Sequence, residues 1–201
     1  VTISPIDTTV AQISASYTDT GTADGDTITK DGTITVSGVE SGGTWAYSTD
    51  GGVNWSSDIA ASTTTATLSE GNYDAVLVRQ TDASGNVGAA TSLGPVTVDT
   101  TGPSVSITAL SNTGFTVSSD AAITVSVAGT GDLTAQQVAE KFDVATQGSV
   151  STYTAKAGAF AGSETITVDA TLTDAAGNST TATQVTISPI DTTVAQISAS
   201  Y

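Results

Sequence analysis

The chain has 201 residues, with 20 acidic side chains against 4 basic ones (Lys30, Arg79, Lys141 and Lys156) and a net charge of −16. Such a surface repels nucleic acid and anionic lipid and attracts cations, so neither nucleic acid nor membrane insertion is expected. Histidine and cysteine are both absent, which excludes a disulfide framework, thiol catalysis and the usual zinc or copper sites.

In chain order the sequence reads as short strands. Residues 10–17 alternate, with Ile13, Ala15 and Tyr17 on one face and Gln12, Ser14 and Ser16 on the other. Thr18 to Gly32 reads as an acidic, Gly-rich loop carrying Asp19, Asp24, Asp26 and Asp31. Ile34 and Val36 form the inward face of a second strand. Trp45-Ala46-Tyr47-Ser48, Asp50-Gly51-Gly52 and Val53-Asn54-Trp55 read as a hairpin whose Asp-Gly pair supplies the positive φ of the turn. Its aromatics, Trp45, Tyr47 and Trp55, are expected in the core. Ala66 and Leu68 mark a short strand, Glu70-Gly71-Asn72 turns into Val76 and Val78, and Asp82 to Asn86 turns into Val96 and Val98. About seven short strands in about 90 residues is the count of an immunoglobulin-like sandwich.

The second half repeats this plan with Val105/Ile107, Ile123/Val125/Val127, Ile166/Val168/Ala170/Leu172 and Val185/Ile187. It adds one helix, expected at about 135–142, with Thr134 as N-cap, Gln137 closing a capping box and Leu133 stapling to Val138. The expected fold is all-β: two tandem immunoglobulin-like Greek-key β-sandwiches, with one short helix in the second.

A fixed period sets the boundaries. Asp7-Thr8-Thr9, Asp99-Thr100-Thr101 and Asp191-Thr192-Thr193 stand 92 residues apart, as do Thr81-Asp82-Ala83-Ser84-Gly85-Asn86 and Thr173-Asp174-Ala175-Ala176-Gly177-Asn178. Such spacing marks two copies of one domain joined at Asp-Thr-Thr. Residues 1–17 also recur unchanged as 185–201, so the chain reads as a window cut from a longer array. The expected divisions are 1–6 (last strand of a preceding repeat), 7–98, 99–190 and 191–201 (first strand of a following one). The cut ends are expected to pair with neighbouring copies.

Four segments carry a resemblance. Trp45-x-Tyr47-Ser48-Thr49-Asp50-Gly51-Gly52-x-x-Trp55, Glu70-Gly71-x-Tyr73, Val78-Arg79-Gln80-Thr81-Asp82-Ala83-x-Gly85-Asn86 and Val98-Asp99-Thr100-Thr101-x-Pro103 resemble the bacterial Ig-like repeats of giant Gram-negative RTX-type surface adhesins. Asp19-Thr20-Gly21 and Asp31-Gly32-Thr33 fit the same pattern. The second domain keeps only the Asp-x-x-Gly-Asn turn and the joint. The resemblance implies an extracellular stalk of tandem sandwiches on the bacterial cell surface, exported by type I secretion and stiffened by Ca²⁺.

Greek-key topology adds a geometric expectation. The first loop of one sandwich meets the joint and the last turn of the next, gathering Asp99 with Asp19, Asp24, Asp26 and Asp31, and with Asp174 and Asn178. At Asp7 and Asp191 the partners are Asp82 and Asn86, with an upstream loop, Ser111 to Ala121, that keeps only Asn112 and Asp120. Crowded carboxylates repel unless a cation neutralises them, and Ca²⁺ accepts such oxygens. The Asp99 joint is therefore expected to bind more Ca²⁺. Against this stands a simpler role, because Asp in Asp-Gly or Asp-x-x-Gly-Asn also forms turns by bonding its own backbone, and Asp50 reads as such a residue.

The expected function is a structural extender of a large adhesin whose partners are the neighbouring repeats, with no specific ligand for this segment. The alternative is an Ig-like module recognising a glycan, ice or a cell-surface partner through an exposed face, for instance the Thr63-Thr64-Thr65 run. Catalysis is not expected, since the usual bases and nucleophiles are missing.

Overall fold

A computed structural model of the chain describes residues 6–21, 23–118, 120–190 and 192. Residues 1–5, 191 and 193–201, which carry the expected terminal half-repeats and Asp191, lie outside the described residues. The chain forms two compact units. One runs to Thr101 and takes in the Ala175–Asn178 turn, and the other comprises Gly102–Asp174 and the chain from Ser179 onward.

The first unit contains β1 (Ser14–Tyr17), β2 (Ile28–Thr29), β3 (Thr33–Ser37), β4 (Thr44–Ser48), β5 (Ile59–Ala60), β6 (Thr65–Thr67), β7 (Gly71–Thr81) and β8 (Thr91–Val98). One sheet has the order β1-β3-β6 and the other β2-β8-β7-β4-β5. That is the immunoglobulin arrangement of two antiparallel sheets, with β2 added in parallel to β8. Alternation explains the core: Ile34 and Val36 are buried from β3, Val76 and Val78 from β7, Val96 and Val98 from β8, and Trp45 from β4. Trp45 satisfies its indole by donating to Thr63 O at 2.7 Å. Ala15 and Tyr17 pack on the same cluster as expected.

Strand β1 begins later than its alternation suggested, because two side chains hold the segment before it. Glu40 Oε1 accepts from Ala11 N at 2.5 Å, and Gln80, buried, donates to Ala11 O at 2.6 Å while accepting from Glu40 N at 2.9 Å. Gln80 thereby satisfies the polar groups it carries into the core.

Two further expectations are corrected here. Val53–Trp55 is not a strand: β4 pairs instead with β5, Trp45 opposite Ile59. Asp50 occupies the intervening loop, accepting from Asn54 N at 2.9 Å and from Ser48 Oγ at 2.8 Å, and this local net replaces a ladder. Trp55 accordingly stays outside the core, half-buried beneath Arg79, whose Cζ lies 3.9 Å from the ring centroid. The segment Thr18 to Gly32 is also more than a loop. Thr29, buried, folds it around β2, its hydroxyl donating to Thr18 O at 2.8 Å and accepting from Asp31 N at 3.0 Å.

The second unit contains β9 (Ile107–Leu110), β10 (Gly114–Ser118), β11 (Ala122–Val127), β12 (Gly131–Asp132), α1 (Ala135–Lys141), β13 (Phe142–Gln147), β14 (Val150–Ala155), β15 (Ile166–Thr173), β16 (Ser179–Thr181) and β17 (Val185–Ile187). Its sheets have the orders β13-β14-β10-β9 and β12-β11-β15-β16, with β17 also on β15. An aromatic cluster fills the core. Phe115 stacks on Tyr153 at 4.8 Å between ring centroids and meets Phe142 edge-on at 5.5 Å, and Phe142 lies 5.6 Å from Phe160.

The capping box stands as expected, with Gln137 N donating to Thr134 Oγ1 at 3.2 Å and Thr134 N to Gln137 Oε1 at 2.8 Å. Leu133 and Val138 pack against the core. The helix stops at Lys141, because buried Phe142 already belongs to β13.

The expected loop Ser111 to Ala121 has a strand at its centre. Gly114-Phe115-Thr116-Val117-Ser118 alternates, Phe115 and Val117 are buried, and β10 pairs with both β9 and β14. Asn112 and Asp120 therefore stand at opposite ends of a central strand and do not form one donor set.

Candidate functional site

The candidate residues are placed by turns, and most of the acidic ones serve those turns. Asp7 Oδ1 accepts from Thr9 N at 3.0 Å, and Asp99 Oδ1 accepts from Thr101 N at 3.0 Å. The Asp-Thr-Thr repeat thus builds the same two-residue loop twice, the geometry expected when an Asp bonds the backbone two residues on. Asp26 does likewise with Ile28 N at 2.9 Å, and Asp31 with Thr33 N at 3.0 Å. The hydrogen bonds from Thr33 hold the Asp31 carboxyl below its ordinary range. Asp24 is exposed beside them.

In the Asp82–Asn86 turn, Asp82 Oδ1 accepts from Ser84 N and Asn86 N, both at 2.8 Å, and Oδ2 accepts from Asn86 Nδ2 at 2.7 Å. The Asn86 side-chain bond, with the backbone bonds behind it, lowers the Asp82 pKa. Asn86 Nδ2 also donates to Asp7 O at 3.1 Å. The equivalent contact recurs 92 residues on, where Asn178 Nδ2 donates to Asp99 O at 2.8 Å. Each Asp-x-x-Gly-Asn turn therefore meets the Asp of an Asp-Thr-Thr through its main-chain carbonyl.

Within the first unit the Ala175–Asn178 turn lies against the segment from Thr20 to Lys30. Thr20 Oγ1 donates to Ala176 O at 2.9 Å and Lys30 Nζ to Gly177 O at 2.8 Å. A Cβ on Gly21 would fall 2.0 Å from Ala175 O, so only glycine permits this approach. Asp174 belongs to the second unit.

Asp19 differs from the other acids. Its Oδ2 accepts from Gly25 N at 2.8 Å, while Oδ1 is buried and accepts no hydrogen bond, alone among the described buried side-chain polar atoms. Burial raises the pKa of Tyr17, and the charges of Asp19 and then Asp26 raise it further, so both carboxylates act on that phenol. Among the described residues no group of three or more acidic side chains is arranged to hold a metal ion. The structure brings Asp19 and Asp26 toward Tyr17 and gives Asp31 its own turn.

Sequence reasoning overlooked Glu70. Thr100 Oγ1 donates to Glu70 Oε2 at 2.5 Å, and Thr101 Oγ1 donates to the same carboxylate at 3.0 Å. The available signal was Glu70-Gly71 placed just before a long apolar strand, but the partners lie 30 residues away in sequence. The donor set throughout is oxygen: carboxylates, amide side chains, hydroxyls and carbonyls. Oxygens of this kind are those a hard cation such as Ca²⁺ takes, but among the described residues no three acidic side chains are gathered into one shell.

No protein-family model matches the chain, and no curated protein matches it. Among solved structures it is similar to the fibronectin(III)-like modules of Clostridium thermocellum CbhA, with 15% identity over 94% of this chain and 100% of that one, at a TM-score of 0.38. Among the described residues no helix is long and apolar enough to cross a membrane.

Proposed function

We propose that the chain is an extender segment of a large bacterial cell-surface adhesin of the RTX type. It holds a distant binding domain away from the cell, without catalysis and without a ligand of its own. The observation that carries this reading is repetition: two immunoglobulin-type sandwiches follow one another at a 92-residue period, and residues 1–17 recur as 185–201. Its partners are then the neighbouring repeats.

Calcium belongs to the same proposal. A net charge of −16 disfavours the compact chain through self-repulsion, and a bound cation relieves it. The buried, unbonded Asp19 Oδ1 supports a ligand role in the first loop. Asp19 Oδ1 would anchor an ion there, Asp99 and Asn178 one at the central joint, and Asp7, Asp82 and Asn86 one at the outer joint. Backbone carbonyls and water would complete each shell, because among the described residues no three acidic side chains converge. Ions that bind only the folded form stabilise it by mass action, by about 2.7 kcal/mol at a hundredfold excess over Kd.

Solution scattering and thermal melting of the full chain, in Ca²⁺ and in EGTA, test the reading. Longer average dimensions and a raised melting temperature in Ca²⁺ are expected. Identical dimensions and melting temperatures in the two buffers would end the calcium proposal.

A further inference from the structure

Thr100 and Thr192 are equivalent residues of the Asp-Thr-Thr repeat, yet they are tied down by different chemistry. In the first unit the anchor is a side chain. Thr100 Oγ1 donates to Glu70 Oε2 at 2.5 Å, and Thr101 Oγ1 lies 3.1 Å from Oε1 and 3.0 Å from Oε2. In the second unit the anchor is main chain. Phe160 N donates to Thr192 Oγ1 at 3.0 Å, Thr192 Oγ1 donates to Phe160 O at 2.9 Å, and Gly158 N donates to Thr192 O at 3.0 Å. The residue 92 positions after Glu70 is Gly162, and the nearby Glu164 accepts from Ala161 N at 2.8 Å and Ser163 N at 3.3 Å. Glu164 therefore does not take Glu70's part.

We propose that Glu70 is a positioning residue, a latch that fixes the chain leaving the first sandwich without a metal ion and lets go in acid, whereas the Thr192 anchor does not let go in acid. Hydroxyl bonds to an ionised carboxylate are about twice as strong as neutral ones, and that advantage disappears on protonation. The titratable groups around Glu70 are Asp99, which lines the same notch, Tyr73, whose hydroxyl donates to Ser69 O at 2.8 Å, and Asp31, whose neighbour Gly32 accepts from Leu68 N at 2.9 Å. None is positive, and it is the hydrogen bonds from Thr100 and Thr101 that hold the Glu70 carboxyl below its usual range. The sign follows. The latch is complete above the ordinary glutamate pKa of about 4.3 and fails as pH falls through the lowered value. The Thr192 anchor has no titratable atom.

The inference deepens the extender reading, but its observables are confined to the chain exits. It can fail while that reading stands, and the scattering test can fail while the latch stands. Methyl relaxation of Thr100, Thr101 and Thr192 in the full chain decides it, for the wild type, Glu70→Gln and Glu70→Ala, each in Ca²⁺ and in EGTA. The Val76 and Val78 methyls report that the sandwich remains folded. In the wild type at pH 7, Thr100 and Thr101 are expected to be equally ordered in both buffers. Glu70→Ala loses that order, Glu70→Gln retains part of it, and wild type acidified until Glu70 is protonated matches Glu70→Gln while Thr192 is unmoved. Loss of order in EGTA alone would mean that a cation organises the exit and would overturn the proposal. So would ordered Thr100 and Thr101 in Glu70→Ala, or Thr192 loosening with them in acid.

Discussion

At the scale of single residues, the acidic side chains spend their oxygens on hydrogen bonds from the turns around them. Asp50 is the clearest case, with Asn54 N, Asn54 Nδ2 and Ser48 Oγ all donating to it. Those bonds, the Asn54 backbone first, pull its pKa from 3.8 to about 2. A carboxyl whose pKa is lower folded than unfolded adds stability above its unfolded value, and that contribution disappears as pH drops through the folded one. The stability gap between wild type and Asp50→Asn should therefore be constant above about pH 4 and close between about pH 4 and 2. Urea titrations across that range measure it, and a gap independent of pH would contradict the hydrogen-bond account. Glu70 obeys the same rule with hydroxyl donors, and Asp82 with an amide.

At the scale of elements, the decisive strand is β10. Phe115 is fully buried, stacked on Tyr153 and edge-on to Phe142. Phe115→Ala should cost about 3–5 kcal/mol, the range for a large aromatic removed from a core. A loss below about 1 kcal/mol in chemical denaturation, the level of ordinary surface changes, would mean that the strand is not central. This element also marks where the sequence stopped being legible. Strands β3, β7 and β8 announce themselves by alternation of Val and Ile, and α1 by its capping box. Strand β10 presents the same alternation, but the 92-residue period lays it against the acidic loop of the first domain, and that correspondence hides the strand. Strand β2 has two residues, paired in parallel with β8 while the Thr29 hydroxyl folds the loop around it, and no periodicity records either contact. The candidate site was legible as turns, since Asp7, Asp82 and Asp99 lie where the motifs put them. Their convergence was not, because the partner of each is a carbonyl or hydroxyl on a distant strand.

At the scale of the whole molecule, each unit has its own core: one around Trp45, Val76 and Val78, the other around Phe115, Phe142 and Ile166. Separate cores make separate cooperative units. Calorimetry of the chain should then resolve into two endotherms, with Trp45→Ala lowering one and Phe115→Ala the other, and with the double variant showing both losses unchanged. A single transition that both substitutions move would show that the cores melt as one. The distribution of indole adds a practical consequence. Both tryptophans, Trp45 and Trp55, fall in the first sandwich, one sealed in its interior and the other roofed by Arg79. Light emitted after excitation at the red edge of protein absorption comes from that sandwich alone, and the second is dark. The chain thus carries a native optical label on one of its two halves, and a colour shift during unfolding dates the opening of that half without any dye.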